Sequence, residues 1–160
     1  MYEKILIPLD GSDLAEQALP HGIQVANAFD SEVYLIHVVS HYVGGLMPYE
    51  VEFRLGESLH EASLHEAHQY LKRVVETYQS EFAGKVHTQV IEGVVSDSVL
   101  DFTEFHGIDL IIMATHGRSG ISRWVFGSVA ERVLRASKCP VFLVRAASDS
   151  NPSDHPEKPI

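Results

Sequence analysis

Five short apolar runs, separated by segments of helical spacing, limit what this chain can fold into more than any other feature. They are Lys4-Ile-Leu-Ile-Pro-Leu9, Glu32-Val-Tyr-Leu-Ile-His-Val-Val39, Val86 to Ile91, Leu110-Ile-Ile-Met113 and Val141-Phe-Leu-Val144. Most lack a polar face, so they read as strands buried on both sides, the situation of central strands in a parallel sheet. Pro8 removes a backbone donor near the end of the first run and should stop a ladder there. After that run, Ser12 or Asp13 can cap a helix whose apolar face carries Ala15, Ala18, Leu19, Gly22, Ala26 and Phe29. Pro20 lies inside this pattern and should bend or shorten the helix. A second helix is expected from Leu59 to about Phe82, with Leu64, Ala67, Leu71, Val74 and Tyr78 on one face. A third runs from a cap at Ser96 to about Phe105, where Gly107 stops it. A fourth follows Ser128 and reaches about Ser137. Residues 40–58 show no clean period and carry Gly44-Gly45, Pro48 and Gly56, so they read as a loop over one end of the sheet. Strands alternating with helices predict an α/β fold, an open five-stranded parallel sheet, doubly wound, with helices on both faces.

A chain of 160 residues fits one domain with a real core. The expected domain is 1–145; the tail 146–160 is rich in Ser, Asp, Asn and Pro and is expected to be disordered. Twelve basic against 22 acidic residues give a net charge of -10. That argues against nucleic-acid or anionic-membrane partners, which require a basic footprint. The single cysteine, Cys139, excludes a disulfide framework. The N-terminus lacks the apolar core of a signal peptide, and no apolar run approaches a membrane span, so a cytoplasmic location is expected.

The stretch from Asp109 to Val129 holds the chemistry. Its apolar run breaks into Ala114-Thr-His116-Gly117, and nine residues after Gly117 come Gly127 and Ser128, where helical spacing resumes at Val129, Val133 and Ala136. Strand, glycine-containing loop and helix N-terminus form a layout that binds phosphate. Glycines allow close backbone approach, and the first helical turn offers unpaired N–H donors at a positive dipole end. The same residues also fit a plain loop, because Ser128-Val-Ala-Glu131 reads as a capping box and Gly117 and Gly120 as turn glycines. There is no Gly-x-x-x-x-Gly-Lys-Ser/Thr, no Gly-x-Ser-x-Gly and no recognisable acid/base carboxylate pair, so efficient hydrolysis is not expected. His60, His65 and His68 spread over about 140° of one helix, which does not make a metal site.

The loop resembles the nucleotide-binding segment of the universal stress protein family, Gly-x-x-Gly-x9-Gly-Ser/Thr. Gly117, the nine residues Arg118 to Phe126, Gly127 and Ser128 match it, while Ala114 stands in the place of the first glycine. Ile5-Leu-Ile-Pro-Leu-Asp10-Gly-Ser12 and Cys139-Pro-Val-Phe-Leu-Val144 extend the resemblance over nearly the whole chain. The resemblance implies a Rossmann-like sheet of strand order 3-2-1-4-5. Its switch point then lies between strands 1 and 4, where Pro8, Leu9 and Asp10 meet Met113 to His116, and ligands in such sheets bind there. It further implies that Asp10 contacts a ribose, that the Val38 backbone reads an adenine edge and that Gly93 lies near the base. Met113, Ala114, His116, Gly117 and Arg118 would contact ribose and phosphates, and Gly127, Ser128 and Val129 the terminal phosphates. Asp10 also fits an ordinary turn aspartate, His116 a loop-fixing residue, and Arg118 and Arg123 a solvated surface. The implied function is an ATP-binding, homodimeric sensor or regulator in stress response, with or without Mg2+, joined through Val141 to Val144 and acting on an unidentified regulated protein. ADP or AMP are alternative ligands. A slow ATP hydrolase or a nucleotide-free structural dimer are alternative functions.

Overall fold

The computed structural model describes residues 1–40, 49–115 and 127–145, the stretch 49–56 as backbone alone. Strands β1 (Lys4–Leu9), β2 (Glu32–Val39), β3 (Val86–Glu92), β4 (Leu110–Ala114) and β5 (Val141–Val144) form one parallel sheet in the order β3-β2-β1-β4-β5. These are the strands expected from the apolar runs. β4 is buried along its whole length, and Ile5, Leu6 and Ile7 at the centre of β1 are fully buried. Alternation along the strands divides the core in two. Ile5, Ile7, Leu35 and Ile112 pack on one face against Leu19 and Ala26 of α2 (Ala18–Phe29) and Leu71 and Val74 of α3 (Tyr49–Tyr78). Leu6, Ile36, Ile111 and Met113 pack on the other against Val99 and Phe102 of α4 (Val95–His106) and Ala130 and Val133 of α5 (Ser128–Ala136). We number the short helix Asp13–Glu16 α1; Ser12 caps it, its Oγ accepting from the Ala15 N–H at 3.2 Å.

Several local expectations need correction. The first helix is two: α1 ends at Glu16 and α2 begins at Ala18. Pro20 explains the break, because its ring excludes the carbonyl of the residue four positions earlier, which is Glu16. Residues 49–58 are helical, not loop, since α3 starts at Tyr49. Around its Glu57–Leu59 stretch this helix is exposed, so it needs no apolar stripe there and shows none. Ser96 is not a cap: it lies buried inside the first turn of α4, whose N-cap is Val94. Gly107 does end α4, in the left-handed conformation at φ 62°.

Pro8 shapes the sheet where the ligand site opens. The Glu3 carbonyl accepts from the Glu32 N–H on the β2 side, and the Lys4 carbonyl accepts from the Asp109 N–H on the β4 side. By the two-residue period, the position of the missing Pro8 N–H faces β4. Pairing with β2 accordingly continues to Leu9↔His37, whereas pairing with β4 ends at Leu6↔Ile111. Beyond that point β1 and β4 are no longer tied together.

Candidate functional site

Where β1 and β4 part, a cavity of about 290 Å³ opens at the carboxyl ends of the strands. Pro8, Leu9 and Asp10 come from the end of β1, Val38 from β2, and Met113 and Ala114 from β4; Gly127, Ser128 and Val129 come from the start of α5. The sequence-derived candidates among the described residues therefore converge on one cleft, with one displacement. Gly93 lines an adjoining cavity with Ser40, Ser96 and Arg132, which shares Ser128 and Val129 with the first. His116, Gly117 and Arg118 lie outside the described residues. Gly93 holds φ 147°, and a Cβ there would stand 2.7 Å from the Ser98 hydroxyl, so the turn after β3 requires glycine.

Two helices start at the rim of these cavities, and neither has a side-chain cap. The N-cap of α5 is Gly127 and that of α4 is Val94. The capping box expected at Ser128 and Glu131 does not form, because Ser128 is already the first helical residue, one position too late. The Glu131 N–H donates to the Gly127 carbonyl at 2.9 Å, and the Glu131 carboxylate pairs instead with Arg135 at 2.9 Å. First-turn N–H groups of both helices thus receive no side-chain cap from their N-cap residues, at two positive dipole ends that meet beside Val95 and Val129. The cleft that they border is walled largely by apolar side chains: Pro8, Leu9, Val38, Val95, Met113 and Val129. A flat apolar ring with an anionic chain would match both parts.

Asp10 has a demonstrable turn role. Its Oδ1 accepts from the Ser12 N–H at 3.0 Å and from the Ser12 hydroxyl at 2.6 Å, which fixes the hydroxyl that caps α1. A second cavity, about 410 Å³, lies on the α3 side of the strand tips and shares Asp10, Val38, Val95 and Val129 with the first. Tyr70, His37 and Arg73 line it. The sequence reading passed over Tyr70 and Val95. A tyrosine amid the Ala67, Leu71 and Val74 stripe was the available signal, since its hydroxyl needs a partner that such a stripe cannot provide. His60 is 2.7 Å from Glu92, and among the described residues no three His, Cys, Asp or Glu side chains are grouped to hold a metal.

A doubly wound parallel sheet with its cleft at the point where strand order reverses defines an α/β domain of the Rossmann-like class. Residues 1–145 match the family model described as the universal stress protein family, and the chain belongs to that family. It is 41% identical over 147 residues to universal stress protein MJ0531 of Methanocaldococcus jannaschii, covering 91% of this chain and 83% of that protein. The fold is shared with universal stress protein UspA from Lactobacillus plantarum, with a TM-score of 0.81 at 23% identity over 90% of this chain and 98% of the other. It is also shared with an Arabidopsis thaliana universal stress protein solved with AMP bound, with a TM-score of 0.63 at 16% identity over 95% and 97% of the two chains.

Proposed function

We propose that this chain is an adenine-nucleotide-binding sensor of the universal stress protein family, with ATP as its ligand and ADP or AMP as the alternatives. The observation that carries the proposal is the pair of uncapped helix N-termini bordering an apolar crevice. The base fits between Pro8, Val38 and Met113, with the Val38 backbone at its edge and Gly93 beyond. Asp10, at the turn after β1, would take the ribose. Met113, Ala114 and the loop residues His116, Gly117 and Arg118 complete the ribose and phosphate contacts. Gly127, Ser128 and Val129 supply N–H donors and a hydroxyl for the terminal phosphates, with Mg2+ as a companion ion of ATP. The AMP-bound Arabidopsis thaliana relative supports an adenine nucleotide in this fold.

Among the described residues no side chain lining the cleft is a base at the phosphate end, and binding is the function we assign. The signal would pass through a homodimer joined by β5 to a regulated protein, in the cytoplasm. Among the described residues no helix is long and apolar enough to cross a membrane. Equilibrium titration of ATP into the full chain tests the proposal: one nucleotide per chain is expected, and failure to bind ATP, ADP or AMP overturns it.

A further inference from the structure

Tyr70 presents an unanswered polar group next to the cleft. Its side chain is 7% exposed, its ring packs edge-on against His37 at 5.5 Å, and its hydroxyl is buried with no hydrogen-bond partner among the described residues. Buried polar groups are nearly always paired, and leaving one unpaired costs stability, so such an exception calls for an explanation. Its nearest polar groups are the Glu16 carboxylate and the Gly11 backbone, neither in hydrogen-bond geometry, and the Asp10 carboxylate lines the same chamber. Burial first, then those two carboxylates, hold the phenol protonated well above its usual range, so it stays able to donate. Asp10, Gly11 and Tyr70 wall the same chamber, which is continuous with the nucleotide cleft at Asp10 and Val38. Gly11, at φ 83°, presents no side chain to fill it.

We propose that this chamber is the sugar-side extension of the cleft and that Tyr70 is a specificity residue in it: its hydroxyl, across from the Asp10 carboxylate, hydrogen-bonds the ribose diol, so that the site selects ribonucleotides over deoxynucleotides. The inference rests on the adenine-nucleotide reading above. The chemistry matches, because a vicinal diol offers donors and acceptors, Asp10 only accepts, and a protonated phenol does both. In the ligand-bound protein the buried hydroxyl gains the partner that it lacks among the described residues.

The test is to titrate ATP, 2′-deoxy-ATP and 3′-deoxy-ATP into the full chain and into Tyr70→Phe. Wild type should bind ATP roughly three- to tenfold more tightly than the analogue lacking the hydroxyl that Tyr70 contacts. Tyr70→Phe should weaken ATP by a similar factor and leave that analogue unchanged. Its melting temperature without ligand should match or exceed wild type, since only an unpaired hydroxyl is removed. Wild type binding all three alike, or Tyr70→Phe weakening all three equally, overturns the role of Tyr70 while leaving the nucleotide reading intact. Wild type binding none of them overturns the nucleotide reading itself, and this inference with it.

Discussion

At Gly127 two requirements on the chain oppose each other: a helix start gains from a side-chain oxygen, whereas a bound phosphate needs that space and those donors free. Gly127 has φ -57° and ψ 146°, which any residue can adopt, so backbone strain does not explain the glycine. Gly127→Asp should therefore fold normally and cap α5, changing stability by no more than a few tenths of a kcal/mol relative to glycine. It should also place a carboxylate where phosphates are expected, and weaken ATP binding at least tenfold. Melting curves and titration of the same preparation check both parts. Unchanged affinity would mean that the start of α5 does not hold the phosphates. Asp10 shows the opposite economy, one carboxylate serving the Ser12 turn while standing at the mouth of the cleft. Its turn role and a ligand role are compatible.

At the scale of elements, α2 lies against the sheet at Gly22 with no room for a side chain. A Cβ there would collide with Ile7 Cδ1 and stand 3.3 Å from its Cγ1, in a fully buried part of the core. Gly22→Ala should lower stability by about 1–2 kcal/mol, overpacking outweighing the better helix propensity of alanine. A denaturant midpoint equal to wild type would show that Ile7 can move aside. All five strands were legible as apolar runs, β1 and β4 most sharply because their burial is extreme. β1 and β4 had to be buried on both faces, and their bounds followed from the apolar runs. Helix starts were harder to read, because a serine near a helix start signals a cap only at the N-cap itself, and Ser128 falls one residue and Ser96 two residues past it. The two misplaced caps are informative, since Val94 and Gly127 leave open the donors that Ser96 and Ser128 seemed to satisfy. The beginning of α3 was missed because residues 49–58 carry Gly56 and no clean helical period. Tyr70 was missed because its stripe looks like core until the hydroxyl is traced. The crevice itself was half-legible: Pro8 announced a broken ladder, but only the register shows that the break falls on the β4 side.

For the whole molecule, β5 is the sheet edge next to the cleft-forming β4, and Phe142 on it is 44% exposed. The Ile111 N–H donates to the Pro140 carbonyl and the Thr115 N–H to the Val144 carbonyl, so even-numbered residues of β5 face β4 while Val141 and Leu143 turn their backbone outward. A second copy pairing there would use the Leu143 N–H. Leu143→Pro should spare the β4 ladder and convert a homodimer to monomers in sedimentation or light scattering, with some stability lost from the smaller side chain. A dimer that persists would place the interface elsewhere. With a net charge of -10, overall electrostatics oppose an anionic ligand, so the proposed binding would rest on local donors, which among the described residues are the N–H groups at the two helix starts. The measurement that bears most directly on that claim is a titration of ATP into the nucleotide-free full chain. One molecule of ATP bound per chain, with affinity lost in Gly127→Asp, is the expected result. A well-folded wild-type protein that takes up no ATP, ADP or AMP would contradict it.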